Sequence, residues 1–148
     1  MSFTQTYAIE DCQRYIATVN TANVNYELPS SAVISFDMIR TSMVSGTGGC
    51  NILLADSSHT YYVGNWSSYG NNGVLIRNTG SSSNLVSQTV SNLVENTDYT
   101  ITLKYDNGDW EYSANTDKVT FSASYTPTKI TKLDKGNGVM TNLKIKPL

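Results

Sequence analysis

The residues able to carry acid–base or nucleophilic chemistry are few and scattered. His59 is the chain's single histidine, so a Ser-His-Asp or Cys-His site would need it together with a partner that no local motif supplies. At a loop-to-strand boundary such a histidine is expected to be solvated or hydrogen-bonded to a neighbour. Retaining glycoside hydrolysis needs two carboxylates about 5 Å apart on one face, so the carboxylate clusters of the chain are the ones to weigh. Glu10 and Asp11 are adjacent, which on a strand sends them to opposite faces. Asp106, Asp109 and Glu111 cluster around Asn107-Gly108, where full solvation at a hairpin tip leaves carboxylates ordinary and uncleft. Their oxygens make calcium the one metal to weigh. A tight hairpin nevertheless falls short of the roughly six to eight ligands calcium takes, so no metal site and no cofactor are expected. Cys12 and Cys50 lie on different expected strands with no CxxC and no histidine at ligand spacing. Two buried thiols acting as small hydrophobes, or a bridge between neighbouring strands, both fit.

Recognition chemistry is better supplied. Binding a sugar ring takes a flat aromatic face for its apolar side, framed by amide, guanidinium or hydroxyl groups for its OH pattern. The stretch from His59 to Asn72, His-Thr-Tyr-Tyr-Val-Gly-Asn-Trp-Ser-Ser-Tyr-Gly-Asn-Asn, ends an expected strand in a glycine- and asparagine-rich loop, with Arg77 on the strand that follows. If Val63 faces the core, Tyr61 and Asn65 share its side, while Tyr62 and Trp66 face the other way. Tyr62, Trp66, Tyr69, Asn71 and Arg77 are therefore the candidate ligand-binding residues. The competing reading for each tryptophan is packing between sheets, and Trp110, just after the hairpin turn, suits a core anchor.

Those residues need strands to hold them. Of 148 residues, 18 Ser, 18 Thr and 15 Asn make about a third of the chain, whereas charged residues are only 15% against a usual ~25%. Ser and Asn compete with a helical backbone for hydrogen bonds, and Thr, Tyr, Val and Ile suit a half-buried pleated surface. Apolar and polar residues alternate with period two in short runs: 7–17, 24–28, 32–42, 50–55, 59–66, 73–78, 82–90, 99–106, 110–114, 119–124 and 139–147, about eleven strands. The region from Leu85 to Glu95 mixes periods but reads as strand and loop. Glycine- and asparagine-rich turns punctuate the series, the firmest being Asn107-Gly108, a type I′ hairpin signal between Tyr99–Asp106 and Trp110–Ala114. Many short antiparallel strands without helices imply one all-β domain over residues 1–148, a two-sheet antiparallel β-sandwich.

Four stretches carry a family resemblance: Ala32-Val-Ile-Ser-Phe-Asp-Met-Ile39, Tyr99 through Tyr112 with its hairpin, Lys118-Val-Thr-Phe121, and Gly138-Val-Met-Thr-Asn-Leu-Lys-Ile145. Their order is similar to the concanavalin A-like, laminin G-like jelly rolls, a superfamily of carbohydrate-binding modules and of phage tail and adhesin domains. The resemblance implies a jelly roll of the concanavalin A-like type and a noncatalytic, lectin-like module, since the superfamily's retaining glycosidases carry a Glu-x-Asp-x-x-Glu strand and this sequence has none. The alternative it allows is a structural or assembly module of a virion or surface protein.

Partners follow from charge as well. The net charge of −2 provides no positive field for nucleic acid or an anionic membrane. Residues 1–100 hold three Arg and seven carboxylates, and residues 101–148 hold seven Lys and five carboxylates. The lysines are spaced, as on a solvated face or a guarded sheet edge. No apolar run approaches the ~18–20 residues needed to span a bilayer, and Met1–Thr6 shows no signal-peptide pattern. The expected partner is a glycan or cell-surface polysaccharide, the expected location a virion or extracellular surface, with a homo-oligomer or larger assembly open.

Overall fold

The computed structural model describes residues 20–42, 49–66, 70–136 and 138–148. The strand expected over 7–17, together with Cys12 and Tyr69, lies outside the described residues. Within them are eleven strands and no helix. They are β1 (Thr21–Glu27), β2 (Ala32–Arg40), β3 (Cys50–Ala55), β4 (His59–Asn65), β5 (Asn72–Asn78) and β6 (Asn84–Thr89). The second half adds β7 (Asp98–Asp106), β8 (Asp109–Ala114), β9 (Asp117–Ser122), β10 (Lys129–Asp134) and β11 (Gly138–Pro147). The mixed-period region is strand only to Thr89 and continues as loop.

All neighbours pair antiparallel, in a six-stranded sheet ordered β1-β10-β3-β4-β5-β6 and a five-stranded sheet ordered β11-β2-β7-β8-β9. Each sheet has one apolar face, and the two close on each other to exclude water from both. In β2 the residues Ala32, Ile34, Phe36 and Met38 alternate inward; opposite them Ile52, Leu54, Tyr61, Val63, Val74 and Ile76 come from the other sheet. Trp110 anchors the middle as expected. Its ring stacks on Tyr61 of the six-stranded sheet at 5.9 Å and on Phe121 at 5.7 Å, while its indole N–H donates to the Ala123 carbonyl at 3.2 Å.

The Asn107-Gly108 turn takes positive φ at both central residues, 49° and 89°, which is type I′ and matches the twist of β7 and β8. One strand escaped the sequence pattern. β10 carries a bulge between Ile130 and Lys132, so its inward residues Ile130 and Leu133 fall three apart and the period of two vanishes. β11 bends likewise between Thr141 and Lys144, with Asn142 at φ 55°.

Candidate functional site

The hairpin β4–β5 sits inside the six-stranded sheet, and its outward side chains are set by the register. Three transverse rows cross the outer face. The first contains Asp134, Asn51, Gly64, Gly73 and Thr89; the second Asn23, Lys132, Leu53, Tyr62, Leu75 and Ser87; the third Lys129, Ala55, Thr60 and Arg77. Tyr61, Val63 and Asn65 are buried on the inner side, whereas Tyr62 and Trp66 are half-buried, so the alternation along β4 is the one expected.

Tyr62 and Arg77 come together. They are diagonal neighbours on adjacent strands, a spacing that long and aromatic side chains bridge, and the Arg77 guanidinium carbon lies 5.6 Å from the Tyr62 ring centroid. Arg77 Nε donates to the Asn84 side-chain oxygen on β6 at 2.9 Å. The guanidinium is thus held beside an aromatic ring by one hydrogen bond, which its Nε makes. Thr60 and Ser87 place hydroxyls in the adjoining positions of the same face.

Trp66 and Asn71 are not beside this pair. They flank the β4–β5 loop, beyond the row in which Gly64 opposes Gly73. On β4 and β5 that row has no side chain, and the backbone explains why. Gly64 sits at φ 115°, and a Cβ there would meet the Cys50 carbonyl oxygen at 2.9 Å; a Cβ on Gly73 would meet the Gln88 carbonyl oxygen at 2.0 Å. Glycines in strand interiors mark close backbone approach, and only the register reveals that these two face each other and separate the two halves of the candidate set.

Beneath the loop lies a buried polar network that the sequence reading did not assemble. Arg40, the last inward residue of β2, is fully buried and donates through Nη1 to the Asn65 side-chain oxygen. Asn65 in turn donates through Nδ2 to the Asn71 carbonyl at 2.8 Å and accepts at its own carbonyl from Asn51 Nδ2 at 2.8 Å. Neighbouring Asn72 accepts from the Tyr112 hydroxyl across the sandwich. Burial draws the Arg40 pKa down, against the carboxylates of Glu95 and Asp134, which favour the charged form. A buried charge persists only where such partners surround it, and here they pin the ends of β4 and β5.

The remaining reactive groups are structural. His59 Nδ1 lies 2.9 Å from both carboxylate oxygens of Asp56 in the β3–β4 turn, and its ring packs on Tyr125 at 4.6 Å. Asp56 also accepts from the Ser58 and His59 amides and the Tyr61 hydroxyl. Burial raises the Asp56 pKa, but the hydrogen bonds from Tyr61, Ser58 and His59 outweigh it and hold the carboxyl below its usual range. Cys50 is a free buried thiol whose pKa burial pushes up to about 12. Asp106 accepts from the Ser31 hydroxyl at 2.9 Å, and among the described residues no three His, Cys, Asp or Glu side chains converge on a point. By sequence β3, β4, β5 and β6 contain no Asp or Glu at all.

No family model matches the chain, and neither does any curated sequence. Solved structures do match. Chicken galectin 2 shares 12% identity at a TM-score of 0.52, with 84% of this chain and 95% of that one covered. A galectin of Caenorhabditis elegans shares 13% at 0.56, covering 84% and 96%. Toad ovary galectin, solved with N-acetylgalactose, shares 9% at 0.55, covering 87% and 98%. Likeness at such identity is likeness of fold: the chain is a jelly-roll β-sandwich of the concanavalin A-like class.

Proposed function

We propose that this domain is a noncatalytic carbohydrate-binding module whose site lies on the outer face of the six-stranded sheet. The observation that carries the reading is the Tyr62–Arg77 pair, fixed by Asn84 and framed by Thr60 and Ser87. A half-buried tyrosine ring beside a fixed guanidinium and hydroxyl donors supplies the groups a sugar ring requires. Trp66 and Asn71, with Tyr69 between them in sequence, form a second contact region across the glycine row, suited to a further ring of an oligosaccharide. The strands around Tyr62, β3–β6, hold no Asp or Glu, whereas glycoside hydrolysis would need a carboxylate pair about 5 Å apart beside the sugar. The toad galectin that shares the fold was solved with a sugar, which lends support by analogy of architecture only.

A glycan array probed with the wild-type protein, Tyr62→Ala and Trp66→Ala tests this. Binding that weakens by about tenfold or more in Tyr62→Ala, equivalent to about 1.4 kcal/mol, supports the site; binding unchanged in both variants contradicts it. Silence of the array together with a stable oligomer in light scattering favours instead a structural role in an assembly. We place the module on a virion or cell exterior, in a tail, receptor-binding or adhesin context, because its surface chemistry is Ser, Thr and Asn rather than charge. Labelling of the intact particle or cell by an impermeant reagent checks that placement, and failure to label it counts against it.

A further inference from the structure

Resting on the glycan reading above, we infer that the sugar recognised is acidic, bearing a carboxylate or sulfate group that Arg77 receives and Lys132 assists. The chain as a whole is net −2, so any preference for an anion has to be local. It is local here. β3–β6 hold one charged side chain, Arg77, and no carboxylate. The Asp56 carboxylate in the adjoining turn is occupied by His59, Tyr61 and two amides. On the flanking strands of the same face, Glu27 is the register partner of Lys129, and Asp134 accepts from Thr21 Oγ1 and the Gly136 amide. Lys132 has uncharged cross-strand neighbours, Asn23 and Leu53. Two cations therefore stand on either side of Tyr62, Arg77 on a strand without carboxylates and Lys132 two residues from Asp134 on β10, whose carboxylate is already engaged by Thr21 and the Gly136 amide.

The geometry of Arg77 suits an oxyanion. Its Nε is tied to Asn84 and its guanidinium carbon lies 5.6 Å from the Tyr62 ring centroid, leaving the Nη donors as a fork that matches a carboxylate or sulfate bidentately. Ordering this side chain in advance lowers the entropic cost of binding. Lys132 lies three strands from Arg77, about 14 Å at ~4.8 Å per strand, so the two cations are matched to charges on different rings of an oligosaccharide.

Calorimetric titration of the purified protein with matched pairs is decisive: a galacturonate oligosaccharide against its methyl ester, and sulfated against desulfated carrageenan oligosaccharides, whose galactan backbone is neutral once the sulfate is removed. The expected result is at least about tenfold tighter binding of an anionic member than of its neutral match, a gap of about 1.4 kcal/mol. That gap should close in Arg77→Gln, narrow in Lys132→Gln and shrink in about 0.5 M salt. Whichever pair shows the gap distinguishes carboxylate from sulfate. Equal binding of neutral and anionic members, both lost in Tyr62→Ala, overturns the acidic preference and leaves the glycan site standing. An anionic preference unchanged in Arg77→Gln overturns the assignment to this residue. No binding of any member, or binding indifferent to Tyr62→Ala, overturns the glycan reading and this inference with it.

Discussion

Asp56 and Cys50 report how burial and hydrogen bonding act on single groups. The Asp56 carboxyl is held below its usual range in the folded protein, because hydrogen bonds from Tyr61, Ser58 and His59 more than offset the opposing effect of burial. A depressed folded pKa contributes stability that is present above the unfolded value of about 3.9 and is lost as pH falls through the folded value. Melting curves between about pH 2 and 7 should therefore show the wild type exceeding Asp56→Asn at neutral pH, with the difference shrinking below about pH 4. A constant difference would contradict the assignment. Cys50, with its pKa raised to about 12 by burial, is inert as a nucleophile because the thiolate is the reactive form. In a Cys12→Ser background, iodoacetamide at pH ~8 should label Cys50 only after denaturation, as read by mass spectrometry; labelling of the native protein would contradict the burial of β3.

The hairpins and bulges of the sheets impose the next set of constraints. Gly73 and Gly108 are required for different reasons, and the two substitutions separate them. A Cβ at Gly73 collides with the Gln88 carbonyl oxygen at 2.0 Å and forces β6 to move, whereas at Gly108 the nearest atom is at 3.8 Å and the obstacle is φ 89° alone. Gly73→Ala should cost about 2–3 kcal/mol, as other overpacked positions do, and lower the melting temperature by roughly 5–10 °C in a domain of this size. Gly108→Ala should cost only about 1–2 kcal/mol. Equal effects would contradict this division.

Elements were legible where the period of two ran unbroken. β3 was delimited to the residue, the hairpin β7–β8 followed from Asn107-Gly108, and the burial of Tyr61 and Asn65 against the outward Tyr62 and Trp66 followed from placing Val63 inside. β10 was missed because its bulge puts Ile130 and Leu133 three residues apart. Arg40 was missed for another reason. The inward series Ile34, Phe36, Met38 continues to it without a break, but a charged residue at an inward position makes sense only once Asn65, on a strand of the opposite sheet, is known to receive it. The layout of the candidate site was half legible for the same cause: residue types pointed to Tyr62 and Arg77 as candidates, while the separation of Trp66 and Asn71 from them depends on register.

At the scale of the whole molecule, two sheets of unlike character close on one core. The five-stranded sheet carries carboxylates on β2, β7, β8 and β9, from Asp37 to Asp117, together with lysines on its outer positions. The six-stranded sheet keeps four adjacent strands free of Asp and Glu and presents one guanidinium over one tyrosine. The distribution of charge therefore separates the two outer faces. The most direct measurement is a ¹⁵N-labelled amide titration with the oligosaccharide that binds most tightly in the array. Shifts concentrated at Thr60, Tyr62, Arg77 and Asn84, and diminished in Tyr62→Ala, are the predicted result. Shifts on the outer positions of β2, β7 and β8, with β4–β6 unmoved, would contradict the account.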